Sequence, residues 1–364
     1  MHILDAIYRH AVKKSSLPHL QQTHALARRQ DSVSLVLFSF CCALAFVTPS
    51  LSQAEHDEHI IIRIGTGSAS GTYYQIGEIL SAELNKALPN FTCTEAPHCA
   101  HHSNIRFLTQ LSTGSTANLE DISANRLELG FAQSDVIHST FTAEKRKGKD
   151  PSLRLIANLY QETTHLVTLK ESGIKTFTDI KGHHVSIGEP GSGTLQTVQE
   201  LFNVHGMNLD KSIEAHYFAP EFLSNLLVQK KIDAYFITAG FPVPGILELM
   251  ETKKARIVAI NSKETQSLIS TSPHLSMGVI PAHSYQTETA IPTIAVAAQL
   301  ITHQKLSEEL VYFITKTFWS HETQAALQKT HRVGKEISTN LLLKASSIPL
   351  HSGAARFYRE HGKL

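Results

Sequence analysis

The sequence lacks the charge imbalance a polyanion binder needs: 33 Lys+Arg stand against 32 Asp+Glu in 364 residues. Phosphate contacts require a basic stripe, so a nucleic-acid partner is excluded. Long hydrophobic runs are also missing. The longest, residues 33–47, has 15 residues, short of the roughly 20 that a helix needs to cross the hydrocarbon core. An apolar share of 42% is ordinary for a packed globular chain and too low for a polytopic membrane protein. No G-x-S-x-G elbow and no H-E-x-x-H motif occurs, which removes two common hydrolase signatures. Repeats and low-complexity tracts are absent too. Cysteine is scarce, with four residues in all, two of them inside the apolar run.

What is present begins with the leader. Arg28 and Arg29 precede the apolar run, and Ser52-Gln53-Ala54 follows it. Basic, apolar and then small-x-small is the order of a secretory signal peptide, with cleavage expected after Ala54. An uncleaved anchor is the alternative, because the stretch before the run is long. Export to the periplasm leaves Cys93 and Cys99 as the remaining cysteines, expected to pair in an oxidising compartment. So short a loop stabilises by less than the ~3 kcal/mol of a 15-residue one. His98, His101 and His102 crowd the same segment, and His56 and His59 flank two acids at the new N-terminus. Adjacent histidines rarely converge on one ion, so no metal is expected at either place.

Residues 55–364 alternate β-rich runs with helical periodicity, the pattern of an α/β protein. Strands are predicted at 60–65, 127–132, 154–159, 165–169, 184–187, 215–218, 234–238, 256–260 and 293–297. Helices are predicted from Tyr74 to a stop at Pro89, and over 118–125, 195–204, 222–230 and 244–252. The last seventy residues read mainly helical.

Two stretches, 64–80 and 186–202, each read as an apolar strand, a Gly/Ser/Thr turn and a helix. Such a turn presents unsatisfied backbone N–H groups at the helix start and needs no cationic side chain to attract an anion. The copies lie 123 residues apart, Gly65 to Gly188, as two lobes facing one cleft would place them. Neither is a nucleotide loop. The first is one residue off the dinucleotide fingerprint, and the second lacks the phosphate-binding lysine. Ser192 is a nucleophile candidate, but His183 and His184 precede a strand that leads away from it, beyond the reach of a general base.

These residues carry a family resemblance. GTGSASGTYY (65–74) resembles the opening motif of the TAXI-type solute receptors of tripartite (TRAP) transporters. Gly114-Ser115 with Asn118-Leu119, then Phe131-Ala132-Gln133-Ser134-Asp135, resemble the next two blocks. Gly173-Ile174, Asp179-Ile180-Lys181-Gly182 and Gly188-Glu189-Pro190-Gly191-Ser192-Gly193-Thr194 resemble a fourth. Phe241-Pro242-Val243-Pro244 and the tail from Pro349 to Tyr358 match later ones. Residues 94–104 have no family counterpart, and the lysine-rich stretch 144–149 stands where the family has a Gly/aromatic loop.

The resemblance implies an α/β, type II periplasmic binding protein without cofactor or catalytic residues, acting as a monomer. Lobe I would be 55–170 and 285–364, lobe II 171–284, with the hinge near 169–170 and 290–292. The implied role is capture of a small acidic solute, glutamate-, glutamine- or dicarboxylate-like, for a TRAP membrane permease. A receptor of an ABC importer, or a sensor input domain, is the alternative. Ligand-facing residues implied for lobe I are Thr66, Gly67, Ser68, Tyr73, Tyr74, Gln133 and Ser134, with Tyr160 a weaker candidate. Lobe II would supply Ser192, Gly193 and Thr194, with Thr238 the weaker candidate there. One of Tyr73 and Tyr74 is expected in the core. These loops hold no lysine or arginine, so N–H and hydroxyl donors would hold a carboxylate.

Overall fold

A computed structural model describes residues 60–91, 105–338, 346 and 348–364. The apolar leader with its cleavage site, the Cys93/Cys99 pair and the histidine-rich segments at 56–59 and 98–102 lie outside the described residues. Among the described residues no helix is long and apolar enough to cross a membrane.

The first half of the chain builds β1 (Ile60–Gly65), α1 (Thr72–Ala87), β2 (Ile105–Gln110), α2 (Ser115–Ser123), β3 (Leu129–Gln133), α3 (Ser134–Arg146) and the long β4 (Leu153–Leu169). Next come β5 (His184–Ser186), α4 (Gly193–Val204), α5 (Leu209–Ser212), β6 (Glu214–His216), α6 (Pro220–Val228), β7 (Ala234–Ala239), α7 (Pro244–Glu251), β8 (Ala255–Val258), α8 (Lys263–Thr271) and β9 (Leu275–Ile280). The return strand β10 (Ile291–His303) leads to α9 (Glu308–Phe318), α10 (His321–Thr330) and α11 (Ser352–Glu360).

One 10-stranded mixed sheet joins them in the order β2-β1-β3-β10-β4-β7-β5-β6, with β8 also on β4 and β9 also on β10. Two strands tie the ends of this sheet together. β4 pairs antiparallel with β10 over Leu153–Thr163 and with β7 over Thr163–Thr168. β10 pairs with β9 from Ile291 to Val296 and with β3 from Ala298 to Thr302. Each strand thus changes partners midway, at Thr163 and between Val296 and Ala298. On either side the outer strands run parallel, β1 with β2 and β3, and β5 with β6 and β7. Parallel strands put their carboxyl ends, and the helix starts that follow, on one edge of the sheet.

Packing follows the apolar pattern. Ile76, Leu80 and Leu84 recur on one face of α1 and are fully buried against Ile64 and Phe107. Leu166, Val185, Val198, Leu201 and Phe236 build the core under α4.

Four departures from the sequence reading have physical causes. The strands expected at 154–159 and 165–169 are one strand, because the intervening polar residues Glu162, Thr163 and Thr164 are buried. No helix was read after Asp135, yet α3 runs from Ser134 to Arg146, with Lys145 and Arg146 of the lysine-rich stretch in its last turn, where the helix dipole favours them. β2 and β9 escaped the reading, although Ile105 and Phe107 point inward while Arg106 and Leu108 point outward. The stretch read as mainly helical starts late, since β10 continues to His303.

Candidate functional site

Five helices, α1, α2, α4, α6 and α7, begin on the walls of one cavity of about 380 Å³. That volume lies within the range of small-ligand pockets. Helix starts gather here because the parallel strands end here, and each start leaves N–H groups without intrahelical partners. Gly71 and Gly114, the residues before α1 and α2, make no side-chain cap, which leaves the first-turn donors of α1 available and, at α2, those other than the Ala117 N–H. α4 differs: the Ser192 hydroxyl accepts from the Leu195 N–H at 3.2 Å, as an N-cap.

The α4 turn packs tightly on the opposite wall. Ala117 N–H donates to the Gly191 carbonyl at 3.1 Å. A Cβ placed on Gly193 would land on the Gln133 side-chain oxygen and within 2.7 Å of Ser115 Oγ. Only glycine allows that approach.

Eight of the sequence-predicted residues meet at this cavity: Gly67, Ser68, Tyr73, Gln133, Ser192, Gly193, Thr194 and Thr238. Thr194 Oγ1 accepts from the Thr238 N–H at 3.0 Å, fastening α4 to the end of β7. Four others lie off its lining. Thr66 is buried and its hydroxyl donates to the Gln110 carbonyl at 2.9 Å, binding β1 to β2. Tyr74 sits half-buried on another face of α1, while Tyr160 belongs to the core. Ser134 is fully buried: its hydroxyl donates to the His274 carbonyl and accepts from the Ala297 N–H, both at 2.9 Å. His183 and His184 lie at the start of β5, beside Asp233 and Glu214.

Sequence reasoning missed the charged lining. Glu162, Glu189, Glu221, Glu248 and His331 reach the cavity, and no lysine or arginine does among the described residues. Glu162 is 3% exposed and its Oε2 accepts from the Tyr73 hydroxyl at 2.7 Å. Burial pushes its carboxyl up to about 8, with the Tyr73 hydrogen bond opposing and the Asp135 charge adding to the rise. Burial raises Tyr73 and lowers His331. Tyr73, the buried member of the tyrosine pair, also stacks on Phe131 at 5.4 Å. Behind this wall Asp135 is fully buried and accepts from the Thr197 hydroxyl at 2.7 Å. Burial raises Asp135 to about 6. In the sequence Glu162 is marked only as the sole acid of residues 153–169, a run that also holds Arg154, Asn158, Gln161 and His165, which does not by itself point to a cavity. Gly114-Ser115 was quoted as a motif and not as lining. Among the described residues no group of three or more His, Cys, Asp or Glu side chains is placed to hold a metal.

Residues 64–362 match the NMT1-like family, which is most of the chain. The chain belongs to the NMT1-like family. The NMT1-like match takes in both glycine turns, all five helix starts and the tail through α11. Among solved structures, the chain is similar to a binding protein component of an ABC phosphonate transporter from Pseudomonas aeruginosa. That pair is 11% identical, covers 74% of this chain and 79% of the other, and has a TM-score of 0.49. A periplasmic aliphatic sulphonate binding protein from Escherichia coli is 17% identical over 83% of each chain, with a TM-score of 0.44. The alkanesulfonate-binding protein of Xanthomonas axonopodis pv. citri, bound to MOPS, is 13% identical over 84% of each chain, with a TM-score of 0.45.

Proposed function

We propose that this NMT1-like chain is an exported solute-binding receptor that captures a small acidic solute and passes it to a membrane importer. The observation that carries this reading is the convergence of five helix N-termini on one cavity with no lysine or arginine on its walls among the described residues. Uncapped N–H groups and aligned dipoles favour a carboxylate there. Gly67, Ser68, Tyr73, Gln133, Ser192, Gly193, Thr194 and Thr238 are the contact residues in this reading. Ser192 serves it as a helix cap rather than as a nucleophile.

Two lobes, 55–170 with 285–364 and 171–284, would close over the solute about a hinge near 169–170 and 290–292, on the two strands β4 and β10 that join the ends of the sheet. A ligand shifts such an equilibrium only through contacts that differ between its two states. The motif likeness supports a TRAP permease as the membrane partner. An ABC importer, the assembly named for the phosphonate-binding relative, is the second reading.

Mass spectrometry of small molecules released from the protein purified from the periplasm tests the capture. One carboxylate-bearing solute in near-stoichiometric amount is expected. A chain that releases nothing, and that no carboxylate in a screen stabilises thermally, contradicts it. Co-purification with a tagged TRAP or ABC permease from the same cells decides between the two partners.

A further inference from the structure

A carboxyl buried in a cavity directed at anions needs either a counter-charge or a proton. Among the described residues no cation lies near enough to Glu162 to serve. The titratable groups facing it are Tyr73 on α1, Asp135 on α3 and Tyr160 on its own strand. Its β10 neighbour is Val296. Around the cavity stand Glu189 before α4, Glu221 on α6, Glu248 on α7 and His331 after α10. Burial holds His331 below its usual range, so it adds no positive charge at neutral pH. A carboxylate seated on the starts of α1 and α2 therefore meets a second negative charge unless Glu162 is protonated.

We propose that Glu162 is the specificity-determining residue of the cavity and that it acts as the neutral acid, its O–H donating to an oxygen of the bound solute. The anion then binds the protonated form of the cavity, and an anion without an ammonium group is the preferred solute. This rests on the acidic-solute reading above and names the group that enforces it. The Tyr73 hydroxyl lies 2.7 Å from one Glu162 oxygen and the Gln133 side chain also bonds the carboxyl, which lines the cavity beside them, where a solute oxygen can reach it. With its carboxyl pushed up to about 8, the empty protein already carries the proton through the neutral range. The sign follows from linkage. Affinity for the anion is level below about pH 8 and falls about tenfold for each pH unit above it, as the proton is lost.

Two readouts on the full chain test this. The first is the infrared carbonyl band of a protonated carboxylic acid at neutral pH, expected in the wild type and absent from Glu162→Gln. The second is calorimetric titration with glutarate and with L-glutamate from about pH 6 to about pH 9.5, spanning the proposed titration. Glutarate is expected to lose affinity above about pH 8 in the wild type, and Glu162→Gln, which keeps a neutral donor, to remove that dependence. Should the variant not fold, the wild-type band and pH profile decide alone. A wild type without the band, or with a flat glutarate profile, overturns the proposal and leaves the receptor reading standing. Glutamate binding that strengthens with pH and vanishes in Glu162→Gln overturns it in favour of an ionised Glu162 paired with an ammonium. Failure of both probes and of any released carboxylate, with the band in place, overturns the acidic-solute reading and the proposal with it.

Discussion

Ser134 and Thr194 carry equivalent hydroxyls in unequal surroundings, and the difference sets what their loss does. Ser134 holds two buried backbone groups, the His274 carbonyl and the Ala297 N–H, and does not line the cavity. Ser134→Ala should cost ~1–3 kcal/mol of stability, because it orphans buried groups, and should leave solute affinity unchanged. Thr194 both lines the cavity and satisfies the Thr238 N–H. Thr194→Ala should lower stability by a similar ~1–3 kcal/mol and weaken binding as well. Chemical denaturation beside calorimetric titration separates the two. At this scale the sequence was legible where glycines and hydroxyls form contiguous turns. It was illegible at Glu162, whose role depends on Tyr73, 89 positions away.

At the scale of elements, α3 and α4 are joined through a polar contact inside the core. The Thr197 hydroxyl on α4 donates to Asp135 on α3 at 2.7 Å, and the stacked pair His138–His274 lies alongside at 4.5 Å. Thr197→Val keeps the volume but takes the donor from a buried carboxyl. It should destabilise the protein by ~1–3 kcal/mol and move the Asp135 titration above its present value of about 6. Urea melts, with a carboxyl NMR titration, check both outcomes. The strand–turn–helix units around the glycine turns could be read from periodicity, because one apolar face and one turn suffice to define them. β4 was cut in two for the opposite reason. Its middle is polar because it passes the cavity, and a polar interruption in an apolar run looks like a loop until burial is known.

For the whole molecule, two buried groups set the pH dependence of stability in opposite directions. His165 is pushed down to about 4 by burial. Its Nδ1 lies 2.9 Å from the Thr163 carbonyl and its Nε2 3.0 Å from the Tyr285 hydroxyl. A neutral buried histidine costs stability as pH falls from about 6.5 toward 4, when only the unfolded chain gains the proton. Glu162, raised from 4.5 to about 8, binds more protons folded than unfolded, so stability falls as pH rises between those values. From about 6.5 to about 8 the unfolded chain loses the last histidine protons, which completes the contributions of His165, His331 and His351, and Asp135 has largely titrated, which leaves Glu162 as the largest change of buried charge among the described residues. The free energy of unfolding should therefore decline over that window in the wild type and fail to decline in Glu162→Gln, where the histidine contributions alone remain. A wild type that gains stability from pH 6.5 to 8 would run against this. The α/β class and the paired cradles were legible from the alternation of elements. The single sheet threaded by β4 and β10 was not, because strand order is a long-range property of the chain.

The capture of a solute between the glycine turns is tested most directly at Gly193, where the α4 turn touches Gln133 and Ser115. The measurement is calorimetric titration of the solute released from the wild type into wild type, Ser134→Ala and Gly193→Val, each first shown to melt cooperatively. One solute per chain is expected for the wild type, unaltered affinity for Ser134→Ala, and no detectable binding for Gly193→Val. Wild-type affinity in a folded Gly193→Val protein would contradict the assignment and move the site away from this cavity.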